Sequence, residues 1–446
     1  MTQKQLKIDY VPTSQLKPNP KNPRKNDAAV GNLVKSISSF GWTNPILAAR
    51  DNTIIAGHTR WKAAQQEGMD KVPVIYLDID PNDANVYMIA DNKLTEIAEW
   101  DKDVLAELMI ELKDLGKDLA LTGFSADDIA LMTDPGAKDG LTDEDSVPAV
   151  PETYITQPGD VYILGNHRLI CGDSTKQDDI NTLMDGKLAD MVFTDPPYNV
   201  NYKQLLKGDS KRKLKNNVQK VESYIMNDNM SDEEFYGFLF GTYSCMFNAL
   251  KPGRPIYVCH ADSERLNFTK AFVDVGFKFA QAIIWVKSCP TLSRSDFNWK
   301  HEPILYSWKP GEAHKFYGGF CLTSVIDDDT DLDKLKKEEL QEILRAIYEQ
   351  MPQSIIRVDK PSNNDLHPTM KPVSLVQRCI EWSSLPGDLI LESFGGSGTT
   401  LIAAEKTGRT CYACEIMPQY CDVIVERWEK FTGKTAERIP AMETAK

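Results

Sequence analysis

No run of apolar residues in this chain reaches the roughly 20 needed to cross a bilayer as a helix. The opening Met1-Thr2-Gln3-Lys4-Gln5 is polar and does not read as a secretory signal. A cytoplasmic protein without a membrane partner is expected. Metal-ligand spacing is missing too. Nine cysteines are scattered, and the only C-x-x-C, Cys411 with Cys414, has no second pair and no paired histidines beside it. Reduced, mostly buried thiols and no metal centre are expected. Surplus positive charge is also lacking, and a net charge of −14 argues against a protein that coats nucleic acid through bulk attraction. A local basic cleft stays compatible with that total, because binding follows the local field. No internal repeat is visible. What is present is ordinary: 446 residues, 41% hydrophobic and 26% charged, enough for two or three domains with cores of their own.

The first 80 residues alternate short strands and helices. Ile8–Val11, Ile46–Ala49, Thr53–Ile55 and Val74–Leu77 read as strands; Ala28–Phe40 and Arg60–Glu67 read as helices stopped by Gly41 and Gly68. Residues 82–133 look helical. Residues 134–152, rich in Asp, Pro, Gly and Ala, have no periodicity and read as a linker between domains at 1–133 and 153–446. Next come a hairpin around Gly165-Asn166 and strands at Asp190–Thr194, Pro255–Cys259, Ala280–Val286 and Pro303–Trp308. Leu389–Leu391 and Thr410–Ala413 are the last strands, each followed by a helix. The basic, patternless stretch Lys203–Lys220 is expected to be a mobile loop, and Leu332–Glu349 a charged helix. This alternation predicts an α/β fold.

Asp195-Pro196-Pro197-Tyr198 follows the apolar Met191-Val192-Phe193. It should stand at the carboxyl end of a buried strand, where open parallel sheets present reactive groups. Exocyclic amines of bases are poor nucleophiles, because their lone pair is delocalised into the ring. Hydrogen bonds from such an amine to Asp195 and to the Pro196 carbonyl favour a tetrahedral nitrogen whose lone pair can meet an electrophilic methyl. Pro196 and Pro197 fix φ and hold that carbonyl. Tyr198 is suited to stack on the base, worth roughly 1–3 kcal/mol. The base cannot be reached within a duplex, so flipping is implied, at a cost of about a few kcal/mol. Read alone, the tetrapeptide could be a strand-end turn capped by Asp.

A glycine turn, Phe394–Thr400, follows the apolar Leu389-Ile390-Leu391 and precedes a helix. It lets backbone N–H groups approach a ligand. Glu415 ends the next strand, where an acid can bind ribose hydroxyls. No phosphate-gripping Lys follows the glycines, which disfavours a P-loop nucleotidase.

With these motifs in hand, residues 153–446 resemble the S-adenosylmethionine-dependent amino methyltransferases of DNA, in the circularly permuted order called the β class. The motifs run Cys171–Ser174, Asp195–Tyr198, His367–Pro372 and Phe394–Thr400, then Glu415 with Tyr420 and Arg427. The resemblance implies a Rossmann-like methyltransferase sheet with S-adenosylmethionine as cofactor. It implies that Asp173 faces the cofactor's adenine amine and that Phe394, Gly396, Gly398 and Thr399 line its methionine and ribose. Glu415 would take the ribose hydroxyls, and Thr369 with Lys371 would hold the methionine end. His367 is at least as readily structural as catalytic. One departure stands out: Glu392-Ser393 replace the family's common Asp-Pro, and the longer acid is expected to change reach but not charge. Asp ahead of Pro-Pro-Tyr tilts the target to the N6 amine of adenine, with N4 of cytosine the rival. A non-catalytic DNA-binding relic is the alternative of another class.

Double-stranded DNA is the expected partner, met between the catalytic motif and His367. Lys203, Lys211, Arg212, Lys213 and Lys215 of the basic loop would close over phosphates. Residues 311–366 are the expected target-recognition insert, with Arg294 and Lys300 as candidate polar contacts. Nothing reads as a nuclease, so a stand-alone modification enzyme is expected. At the N-terminus, Pro18–Arg24 and Ile54–Arg60 resemble the ParB and sulfiredoxin-like fold, a smaller α+β domain. In that fold Gly57, His58 and Arg60 would begin a helix that grips nucleotide phosphates, although the partition proteins usually carry a second Arg. A nucleotide there, a DNA-contacting module and a homodimer are left open. The sulfiredoxin cysteine has no counterpart here.

Overall fold

The computed structural model describes residues 6–97, 100–134, 136–200, 229–291, 298–318, 355–357 and 370–441. The basic loop Lys203–Lys220, Arg294, His367, Thr369 and the expected helix Leu332–Glu349 lie outside the described residues. The chain divides into two compact units, Met1–Pro135 and Gly136–Lys446.

The first unit opens with β1 (Ile8–Pro12), α1 (Asp27–Phe40), β2 (Ile46–Ala49), β3 (Ile54–Ala56), α2 (His58–Gln66) and β4 (Lys71–Leu77). Its sheet runs β1-β4-β2-β3, with β4 central, antiparallel to β1 and parallel to β2. Ile46, Ala48, Val72 and Val74 alternate along their strands and build the core with Leu16 and Ala64. Three helices follow: α3 (Pro81–Ile97), α4 (Lys102–Asp114) and α5 (Ala126–Met132). Both shorter ones begin at side-chain caps. Asp101 accepts the Val104 N–H, and Ser125 with Asp128 forms a reciprocal capping box.

The second unit is built on ten strands. In chain order its elements are β5 (Val161–Leu164), β6 (His167–Cys171), α6 (Gln177–Met184), β7 (Met191–Thr194), α7 (Asp232–Ala249), β8 (Pro255–Cys259) and α8 (Arg265–Val275). Then come β9 (Lys278–Thr291), β10 (Trp299–Trp308), β11 (Ile355–Arg357), α9 (Val373–Ser383), β12 (Leu389–Glu392), α10 (Thr399–Lys406), β13 (Thr410–Glu415), α11 (Pro418–Thr432) and β14 (Glu437–Ile439). The sheet order is β11-β9-β10-β8-β7-β12-β13-β6-β5-β14. Its centre, β8 to β6, is parallel throughout, and antiparallel strands extend both flanks. The central strands are apolar on both sides because helices cover both faces. Successive residues of β7 divide accordingly. Met191 and Phe193 join the core beneath α9, α10 and α11, while Val192 joins the one beneath α6, α7 and α8. β11, inside the expected recognition insert, pairs with β9 at the sheet edge.

The expected linker at 134–152 needs correction. From Lys138 onward this stretch is strapped to the second unit. Lys138 N–H donates to Lys406 O, and Leu141 N–H to Phe431 O. The Glu144 carboxylate pairs with Lys406, and Asp145 accepts the Val373 N–H. A segment without side-chain periodicity can still be ordered when its backbone groups find partners elsewhere. Gly140 allows the approach, since a Cβ there would overlap the Phe431 ring. Gly140→Ala should therefore destabilise the second unit by about 1–3 kcal/mol, as overpacking does. Denaturant unfolding measures this, and an unchanged midpoint would show that the strap is not held at that contact.

Candidate active site

Parallel strands present their carboxyl ends on one edge, and here five adjacent ends carry polar or ionisable side chains. In spatial order His260 follows β8, Asp195 follows β7, Glu392 closes β12, Glu415 closes β13, and Asp173 lies just beyond β6. β7 and β12 are paired directly, Ile390 with Met191 and Leu391 with Val192. Asp195 and the glycine turn thus leave neighbouring strands in the same direction, although nearly two hundred residues separate them. From β7 the chain next enters the sheet on one side and from β12 on the other, so the crevice lies at a topological switch point.

Asp195 sits in a hydrogen-bonded cluster. Lys371 Nζ reaches Asp195 Oδ1 and Oδ2 at 2.8 and 2.7 Å, and Tyr198 Oη donates to Oδ1 at 2.7 Å. Glu302, on β10, lies 3.3 Å from both Lys371 Nζ and Tyr198 Oη, and Lys287 of β9 meets its other oxygen at 2.5 Å. Burial pushes the Glu302 carboxyl up, but Lys371 and Lys287 pull it down to about 2. Burial opposes the Lys371 charge, yet Asp195 and Glu302 hold its pKa well above the ordinary lysine value. Burial drives the Tyr198 phenol well above its usual range, with Asp195 and Glu302 adding to the rise, so it stays a neutral donor. Its ring meets Phe268 edge-on at 6.3 Å. Among the described contacts Asp195 Oδ2 receives only Lys371, which leaves it capacity for another donor.

Lys371 was expected at the methionine end of a cofactor. Its ammonium engages Asp195 and Tyr198 of the Asp-Pro-Pro-Tyr tetrapeptide. Sequence reasoning passed over Glu302 and Lys287; the available signal was an acid at the head of the apolar run Ile304–Trp308. It also passed over His260, which is buried. The Nδ1 of His260 lies 3.0 Å from the Ala261 carbonyl, so that nitrogen carries the proton and Nε2 is an acceptor without a partner among the described residues.

The glycine turn is pinned from behind. Gly395 N–H donates to Cys414 O, and Gly396 N–H to Glu415 Oε2 at 2.7 Å. Gly398 starts α10 in the left-handed region, φ +85°, where a side chain would also crowd Ile424. In front, the turn is open: a Cβ on Gly396 would find only Phe394 O, at 3.9 Å. Phe394 packs on Phe238 of α7. Thr399 turns its hydroxyl toward Arg427. Asp173 is part-exposed and accepts from the Thr175 amide and hydroxyl. Ser393 Oγ is buried between strand and turn without a partner among the described residues. An open glycine cradle, an orphaned hydroxyl and two strand-end acids fit a ligand bearing an amine and vicinal hydroxyls, as S-adenosylmethionine does.

Glu392, the longer acid that stands where the family commonly has Asp, is buried at the end of its strand. It accepts from Thr194 Oγ1, the Phe394 amide and Thr400 Oγ1. Burial pushes its carboxyl up to about 8, those bonds pulling the other way. Burial likewise raises Glu415 to about 7.

A family model described as DNA methylase matches residues 189–426, more than half of the chain. The chain belongs to the DNA methylase family. It is a DNA methyltransferase whose front end matches two further models, the ParB N-terminal domain at 1–93 and the ParB-methyltransferase HTH domain at 103–158. The second of these covers α4, α5 and the strap, none of which was read as a helix-turn-helix module. The methyltransferase is 26% identical over 242 residues to the type II methyltransferase M2.DpnII of Streptococcus pneumoniae, covering 54% of this chain and 82% of that one. It is 24% identical over 265 residues to the DNA adenine methyltransferase YhdJ of Escherichia coli, covering 58% and 82%. A solved DNA modification methylase of Thermus thermophilus aligns at 22% identity and a TM-score of 0.39, over 60% of this chain and 97% of that one.

Lys300 is exposed on β10. Gly57 begins α2 with φ +97°, beside a cavity of about 640 Å³ also lined by Arg24, Lys25, Thr59 and Arg60. His58 lines it as well, but its ring is engaged in the fold, accepting the Asn19 N–H at 3.1 Å, and burial lowers its pKa.

Glu392 yields a pH test. Its pKa lies above the ordinary Glu value, so its contribution to the fold is complete below that value and fades as pH rises toward about 8. Glu392→Gln should flatten the dependence of stability on pH between about 5 and 8, leaving the variant relatively more stable at the upper end. Urea midpoints across that window check it; a variant that tracks the parent contradicts a protonated Glu392.

Proposed function

We propose that this methyltransferase transfers a methyl group to the N6 amine of a flipped adenine in double-stranded DNA. The observation that carries this reading is the direct pairing of β7 with β12, which sets Asp195 beside the glycine turn. S-adenosylmethionine, when bound, supplies an electrophilic methyl group. Phe394, Gly396 and Gly398 would line it, Thr369 and Thr399 would support it, and Glu415 and Asp173 would take its ribose hydroxyls and adenine amine. Asp195 Oδ2 would accept one hydrogen of the target amine and the Pro196 carbonyl the other, turning the nitrogen lone pair toward the methyl. Lys371 holds the Asp195 carboxylate in place through bonds to both of its oxygens. Tyr198 adds a hydrogen bond to the same carboxylate, and its ring offers the base an aromatic wall. Adenine is favoured by the Asp ahead of Pro-Pro-Tyr and by the likeness to an adenine methyltransferase. Lys300 and the basic residues of 203–220 would meet the DNA backbone.

The cavity at Gly57 and Arg60 supports a nucleotide on the ParB-like domain, its phosphates at the α2 N-terminus beside the guanidinium. Arg60→Ala should weaken labelled CTP or ATP binding about tenfold. Equilibrium dialysis that finds neither nucleotide bound to the parent refutes this part.

The central test supplies labelled S-adenosylmethionine and unmethylated DNA, then identifies the modified base by mass spectrometry. N6-methyladenine is expected; N4-methylcytosine, or DNA binding without transfer, would overturn the assignment. Asp195→Ala should slow transfer at least about a hundredfold while cofactor affinity stays within about threefold. Equal loss of both would mean that Asp195 shapes the cofactor site instead.

A further inference from the structure

Two consecutive strap residues touch both halves of the active site. Asp145 Oδ1 accepts the N–H of Val373 at 2.9 Å. Val373 is the first residue of α9, and its N-cap, Pro372, supplies no capping side chain. A carboxylate from 228 positions away therefore takes one of the helix's orphan donors. Two residues before Val373 stands Lys371, whose ammonium bridges Asp195, Tyr198 and Glu302. The neighbouring strap residue works on the other half. Arg427 Nη2 donates to Glu144 O at 2.7 Å while its Nη1 donates to Ser397 O at 2.8 Å, inside the glycine turn. The Glu144 carboxylate also meets Lys406, near the end of α10, the helix that the turn begins. Arg427 is buried, as is Lys371, so the loss of a partner would leave a buried charge uncompensated.

We propose that Glu144-Asp145 is a brace that sets the Lys371 loop against the cofactor turn, with Asp145 a positioning residue for methyl transfer. The proposal rests on the methyltransferase reading above. Without the Asp145 bond the turn 370–373 loses its only described tie to the strap, and Lys371 carries Asp195 with it. A displacement near 1 Å in such a constellation costs up to about a hundredfold in rate, so a partial one is expected to cost about tenfold.

The test uses the full chain with Asp145→Ala, Asp145→Asn and Val373→Pro. Asn keeps an acceptor for the Val373 N–H. Proline at the first helical position removes that donor while suiting the local backbone, so it cuts the same bond if the alanine variant fails to fold. For Asp145→Ala and Val373→Pro, kcat should fall about tenfold and S-adenosylhomocysteine affinity, read by titration calorimetry, should weaken at least about threefold. Asp145→Asn should stay within about threefold of the parent on both. A lowered unfolding temperature with kcat and affinity unchanged overturns the brace, since a merely structural bond would do only that. An Asn variant as impaired as the Ala variant overturns it too. Methyl transfer by the parent is followed in parallel; its absence would sink the reading underneath, whereas the calorimetric comparison judges the brace separately.

Discussion

A buried ammonium can persist only where anions and hydrogen-bond acceptors surround it, and Lys371, 5% exposed, is that group here. Its two carboxylates come from separate parts of the sheet, Asp195 at the end of β7 and Glu302 on β10. Glu302 in turn leans on Lys287 of β9. Two acids and two bases thus offset one another in a confined space. The long antiparallel pair β9–β10, appended to a parallel core, gains a purpose from this. It delivers a second carboxylate and a second ammonium beside the Lys371–Asp195 pair, and these two added charges offset each other.

The glycine-turn side follows another electrostatic rule. Glu392 and Glu415 close adjacent strands, and burial raises both, to about 8 and about 7. A raised pKa favours the protonated form of a carboxyl, which can donate as well as accept. Glu392 also joins the two halves mechanically. Its carboxyl holds Thr194, one residue before Asp195, together with the amide of Phe394, the first residue of the glycine turn.

Much of the fold was legible because its signals are local. Apolar runs of three to five residues marked β7, β8 and β12, and the loss of pattern after Thr194 and Glu392 marked the carboxyl ends of β7 and β12. Long-range pairing left no such trace. Glu302 is one acid among many until β10 folds back on β9. His58 resembled a phosphate ligand in its motif, yet its ring nitrogen accepts a backbone N–H from Asn19. Residues 134–152 looked like a tether because their partners, Lys406, Phe431 and Val373, lie hundreds of positions away.

Composition, motif order and strand periodicity by themselves determined a two-part α/β protein with an Asp-Pro-Pro-Tyr site and a glycine turn, since each is written in contiguous residues. Tertiary structure alone decided which charges meet: that Lys371 contacts both Asp195 and Glu302, that burial raises Glu392, and that Glu144-Asp145 bridges two loops. Burial and proximity set the energy of a charge, and neither quantity exists until the chain has folded.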